Sequence, residues 1–132
     1  MRQVITLRAL QKSDDRTQFD CGQPVLNRWF QRRAWSNEKG NASRIYVLCD
    51  QANERVLGYV TLATGQVERY FLPQSKQCNK PDRVPILLLG QLAISKDYQG
   101  RGLSTELLRH AFEIAVEVSS SVGIVALVTH PI

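Results

Sequence analysis

The sequence is poor in the residues that usually declare a chemistry. It has three cysteines, Cys21, Cys49 and Cys78, in 132 residues. The number is odd and no two stand in CxxC spacing. That argues against a disulfide framework or a zinc site and for reduced thiols in a cytosolic protein. There are two histidines, His110 and His130, in different segments. A single histidine per element is poor material for a general base. Ser119-Ser120-Ser121 lacks a nucleophile's setting and reads as a helix terminator. No apolar N-terminal run has signal-peptide form, and no stretch approaches the roughly 20 apolar residues of a membrane span. Internal repeats and low-complexity tracts are missing as well.

What is present suits one compact α/β domain. Hydrophobic residues make up 43% and charged residues 22% of the chain, enough for a real core. The formal charge of +5 permits an acidic partner such as RNA or a polyphosphate cofactor. Val4 to Arg8 reads as a first strand. Phe19-Asp20-Cys21-Gly22 is a turn, and Pro24 suits the first position of a helix. Leu26, Trp29, Phe30 and Ala34 fall on one face of that helix, which runs to about Asn37. Arg44–Cys49 and Val56–Ala63 read as an antiparallel hairpin. Gln66 to Val84 is polar and long, and a short helix or active-site rim is expected in it. Ile86–Ile94 is almost continuously apolar, as in a strand buried on both faces, with Gly90 marking a bulge or a close approach. A helix over about 105–118 buries Leu107, Leu108, Ala111, Ala115 and Val118, and Gly123 ends it. Ile124–Val128 is a last strand, reached by a parallel βαβ step.

The organising stretch joins that long strand to that helix: Tyr98-Gln99-Gly100-Arg101-Gly102-Leu103-Ser104. A loop opening a helix in this way exposes backbone N–H groups at the positive end of the helix dipole, an anion site. Gly100 and Gly102 let a phosphate come close. The Lys-Ser/Thr ending of a nucleotide-binding P-loop is missing, and so is the third glycine of a dinucleotide fingerprint. A bare glycine pair would leave an unliganded helix entry as an equal alternative.

The longer pattern resembles the acetyl-CoA motif of the GCN5-related N-acetyltransferases (GNAT): Arg or Gln, two residues, Gly, one residue, then Gly or Ala. Gln99 and Gly102 match it, and Ser104 departs from it with another small residue. The resemblance implies a GNAT-like mixed sheet, antiparallel first and parallel late. It implies that Leu92, Ala93 and Ile94 face the pantetheine arm. Gln99, Gly100, Arg101, Gly102, Leu103, Ser104 and Thr105 would hold the pyrophosphate through backbone N–H groups. Phe19–Gly22 with Leu26–Phe30, Val56–Ala63 and Val84-Pro85 are similar, in order, to the acetyltransferase toxins of toxin–antitoxin pairs.

That narrower resemblance implies acetylation of the amino acid carried on a charged tRNA in the cytoplasm. It also implies a small ribbon-helix-helix antitoxin as partner. At Gln91 many such toxins carry arginine. Residues 28–44 hold Arg28, Arg32, Arg33, Lys39 and Arg44 against one acid, Glu38. A solvated helix face explains them, and a tRNA-binding face is the reading the resemblance favours.

The family pattern continues beyond the 124–128 strand with a helix, whose tyrosine protonates the departing thiolate, and a strand pair. The chain stops at Ile132. No catalytic residue is assigned from Tyr46, Tyr59, Tyr70 or Tyr98. An incomplete single domain and a homodimer covering the free strand edge are expected. The alternative to an enzyme is a remnant that keeps acetyl-CoA or antitoxin binding.

Overall fold

The computed structural model describes residues 5–40, 42–68, 70, 74, 82–122 and 126–129. A five-stranded sheet carries the fold: β1 (Ile5–Ala9), β2 (Arg44–Asp50), β3 (Val56–Glu68), β4 (Arg83–Ile94) and β5 (Ala126–Thr129), side by side in chain order. The first four run antiparallel and β4–β5 is parallel. Helices α1 (Pro24–Arg32) and α2 (Ala34–Lys39) lie between β1 and β2, and α3 (Leu103–Val122) makes the β4–β5 crossover.

Alternation along the strands builds two cores, one on each sheet face. On β2, Ile45, Val47 and Cys49 join the cluster under α1, while Leu48 and Tyr46 join the cluster under α3. The α1 cluster is aromatic. Tyr59 is fully buried, with Phe30 stacked at 4.4 Å and Phe19 edge-on at 5.4 Å between centroids. Each such ring contributes on the order of 1.5–3 kcal/mol by its burial. The α3 cluster is aliphatic, with Leu57, Val60, Leu107 and Ala111 buried. Gly58 lets these layers close, because a Cβ there would stand 2.7 Å from Ile94 Cδ1.

Four expectations need correction. The single helix over 24–37 is two, since Arg33 leaves helical geometry at φ −117° between α1 and α2. Ser119 and Ser120 do not end α3. Their hydroxyls donate to the carbonyls of Val116 and Glu117 at 2.8 and 2.7 Å, so they compete with no backbone bond and the helix continues to Val122. Leu108 is exposed, in a stripe with Phe112 and Val116, and Ile114 packs inward instead. Finally, β4 begins at Arg83, because its pairing with β3 runs from Glu68↔Arg83. The expectations for Val4, Gly123, Ile124, Cys78, His130 and most of 69–81 lie outside the described residues.

Candidate functional site

The sheet opens along one strand. Among the described residues, β5 accompanies β4 from Ile86 to Leu89. β3 continues beside β4 to Ile94, but one extra β4 residue is inserted where Val60 pairs with Leu92 and Leu62 with Leu89. That bulge falls at Gly90, where the sequence placed a bulge or a close approach, and both occur. A Cβ on Gly90 would stand 2.8 Å from Thr61 Oγ1, and that oxygen accepts the Gln91 N–H at 2.8 Å. Past the bulge, the side of β4 turned from β3 has no strand partner among the described residues.

A cavity of about 370 Å³ lies against this open end. Leu92, Ala93 and Ile94 form one wall, and Gln99, Gly100, Gly102, Leu103 and Ser104 another. Eight of the ten expected cofactor residues thus meet in one place. Arg101 and Thr105 are not among its lining residues. Gly100 and Gly102 take φ of +77° and +79°, and a Cβ on either would meet nothing within 4 Å. Their glycines are therefore required by the left-handed backbone, and no part of the chain crowds them. Among the described residues, the N–H groups of Gly100 to Ser104 find no protein acceptor. They sit at the N-terminus of the 20-residue α3, at the positive end of its dipole. An unpaired strand edge beside such a row of donors fits an extended arm ending in a pyrophosphate.

Gln99 lines the cavity and also braces it. Its side-chain Nε2 donates to Cys21 O at 2.8 Å and Ile94 O at 2.9 Å, so the amide ties the loop to its supports. The support is the 19–22 turn. Asp20 O accepts the Lys96 N–H at 2.9 Å. The Asp20 carboxylate accepts from Gly22 N and Asn27 Nδ2 and pairs with Lys96 Nζ at 3.1 Å. These contacts, led by the Gly22 N–H, pull its pKa down to about 2. Asn27 Oδ1, on α1, accepts the Cys21 N–H at 2.8 Å. The sequence marked this turn only by resemblance. It missed Cys21, Gln23, Leu26 and Tyr98 as cavity walls, since contacts between segments so far apart leave no local pattern.

Behind the wall, Tyr59 Oη lies 2.8 Å from Gln91 Oε1 and 3.1 Å from Leu26 O. Burial raises its pKa, so the phenol stays protonated. Burial also pushes the Cys49 thiol up to about 11, which leaves it inert. His110 packs edge-on against Tyr46 at 5.0 Å, away from the cavity walls.

The basic segment sits apart from the cavity. Arg28, Arg32, Arg33, Lys39 and Arg44 are exposed. Arg44 is paired with Glu38 at 3.3 Å. Trp29 and Trp35 pack against the core under α1, so they are no stacking platform. Among the described residues, no cluster of metal-ligating side chains exists, and no helix is long and apolar enough to cross a membrane.

A sheet split beyond a bulge, with a glycine-spaced helix entry facing the gap, defines an acyl-CoA-type acyltransferase site. Residues 6–131 match the model of the Acetyltransferase (GNAT) family, and the chain belongs to that family. It is 37% identical over 123 residues to the tRNA-acetylating toxin of Mycobacterium tuberculosis (strain ATCC 25618 / H37Rv), covering 93% of this chain and 73% of that protein. It is similar to the solved structure of AtaT complexed with acetyl-methionyl-tRNAfMet (TM-score 0.91, 34% identity, 98% of this chain and 79% of that one). It is also similar to a mutant AtaT toxin bound to the C-terminus of the antitoxin AtaR and acetyl-CoA (TM-score 0.82, 30% identity, 97% and 76%).

Proposed function

We propose that this chain transfers an acetyl group from acetyl-CoA to the amino group of an aminoacyl-tRNA, as the toxin of a toxin–antitoxin pair acting in the cytoplasm. The observation that carries the reading is the cavity between the end of β4, partnered among the described residues on its β3 side alone, and a loop whose N–H groups find no acceptor among them. The likeness to a tRNA-acetylating toxin and to AtaT supports the substrate. Residues 1–132 are read as a single acetyltransferase domain.

Bound acetyl-CoA supplies an activated thioester carbonyl. The chain's own residues place it. Leu92, Ala93 and Ile94 offer backbone groups to the pantetheine arm. The N–H groups of Gly100, Arg101, Gly102, Leu103, Ser104 and Thr105 receive the pyrophosphate, and Gln99 holds that loop in shape. The acceptor amine, once it has lost its proton, attacks the carbonyl; the carbon–sulfur bond then breaks and the thiolate takes a proton. Orientation of the two reactants is the contribution these residues make. Tyr59 is excluded as the proton donor, because its hydroxyl is held by Leu26 and Gln91 inside the core. Arg28, Arg32, Arg33 and Lys39 form the tRNA-facing surface, with Arg44 held to Glu38 at its edge. A ribbon-helix-helix antitoxin is the protein partner.

The test is to incubate the purified chain with labelled acetyl-CoA and charged tRNA. Acetylated aminoacyl-tRNA and an equal amount of free CoA thiol are expected. Binding of acetyl-CoA with no thiol release above background would reject the enzyme reading and leave a binding module.

A further inference from the structure

We propose that Arg101 reads the 3′-phosphate of the coenzyme and so distinguishes CoA from 3′-dephospho-CoA. The inference rests on the acetyl-CoA reading above and deepens it. Four cations surround the start of α3: Arg55, Lys96, Arg101 and Arg109. Three have carboxylate partners. Arg55 pairs with Asp97 at 3.0 Å, Lys96 with Asp20 at 3.1 Å and Arg109 with Glu106 at 3.4 Å. Among the described residues Arg101 has no acid partner. Its guanidinium lies instead over the ring of Tyr98, 4.7 Å from the centroid.

That stacking decides what Arg101 can do. Tyr98, Gly100 and Gly102 line the cavity, whereas Arg101 does not and is exposed. The side chain therefore stands at the cavity's outer rim, braced by the ring. No hydrogen bond to a described residue uses its N–H groups, and a cation–π contact leaves them available. The result is a planar fork braced by the ring and without a carboxylate partner among the described residues, a group suited to a phosphate.

The ligand's charges complete the argument. CoA carries a pyrophosphate and, separately, a phosphomonoester on its ribose. The free N–H row of the loop suits the pyrophosphate. The monoester calls for a cation of its own. Asp20, Asp97 and Glu106 would repel it, but each is paired with a cation. Of these four described cations, Arg101 is the one without a carboxylate partner.

The experiment is calorimetric titration of the full chain with CoA and with 3′-dephospho-CoA, for wild type, Arg101→Gln and Arg101→Lys. A thermal melt of each variant checks that it is folded. Wild type should prefer CoA by about tenfold or more, the scale of one charge-assisted contact. Arg101→Gln should bring the two ligands close to equal, lowering CoA affinity by a clearly larger factor than dephospho-CoA affinity. Arg101→Lys should keep part of the preference, and added salt should shrink it. Equal affinities in wild type would overturn the proposal and leave the acetyl-CoA reading intact. Arg101→Gln weakening both ligands by the same factor would also overturn it, placing the side chain on the pyrophosphate. If neither ligand binds wild type, both readings fail together.

Discussion

Gln99 Nε2 donates to the carbonyl oxygen of Cys21 at 2.8 Å, across a separation of 78 residues. With its second bond, to Ile94 O, this amide holds the glycine loop to both the strand that precedes it and the turn beneath it.

Removing it should loosen the loop more than the fold. Gln99→Ala leaves two carbonyls without this donor and should cost about 1–3 kcal/mol in urea unfolding. Affinity for acetyl-CoA should fall roughly tenfold, corresponding to about 1.4 kcal/mol. Gln99→Glu should be worse on both counts, since a carboxylate cannot donate and would face two carbonyl oxygens. Equal behaviour of the two variants would contradict this assignment.

The bulge offers a second test. Gly90→Ala places a methyl 2.8 Å from Thr61 Oγ1 and should destabilise by about 1–3 kcal/mol. Thr61→Ala removes the acceptor of the Gln91 N–H and should cost about 1 kcal/mol. In the double variant the overlap disappears, so its loss should be smaller than the sum of the two. Strict additivity in denaturant midpoints would show that the contact is not what constrains position 90.

Acid should act through Asp20. Its pKa in the folded chain, about 2, lies below the ordinary 3.8, because the Gly22 N–H, Asn27 and Lys96 all favour the carboxylate. A depressed carboxylate gives its stabilisation in full above the ordinary value and loses it as pH falls toward the folded one. Stability should therefore drop between about pH 4 and pH 2. Asp14 acts in the same direction: burial raises its pKa, and the Arg8 fork with the Gln11 N–H more than offsets that. Asp20→Asn should flatten part of this acid limb in urea midpoints measured from pH 2 to 7. An unchanged limb would remove Asp20 from the account.

The exposed cations of α1 and its C-cap make the last prediction. Arg32→Glu with Arg33→Glu should weaken tRNA binding and lower the salt slope by about one unit per lost phosphate contact, with CoA affinity unchanged. If tRNA binding and its slope stay the same in filter binding, this is only a solvated face.

Much of this arrangement is legible in the residues, because its signals are local. A continuous apolar run, Gly90 within it, the Gly100–Gly102 pair and the apolar stripe that follows specify β4, its bulge, the loop and α3 in order. The break at Arg33 was hidden by the core itself: Leu26, Phe30 and Ala34 keep a spacing of four across it, so the buried face looks uninterrupted. The serines near the end of α3 were misread because a hydroxyl that bonds its own preceding turn is indistinguishable, in sequence, from one that caps a turn. The brace under the loop depends on the backbone carbonyls of Asp20 and Cys21. Carbonyls carry no residue identity, so nothing in the sequence could announce it.

The 19–22 turn has one more consequence. Asn27 grips it from α1, while Lys96 and Gln99 grip it from the loop. Only two residues, Asp20 and Cys21, stand between these two sets of bonds. The inner end of α1 and the glycine loop are therefore joined through bonds that meet on these two residues. The turn is a shared clasp, so a substitution that opens it would release the helix and the loop together.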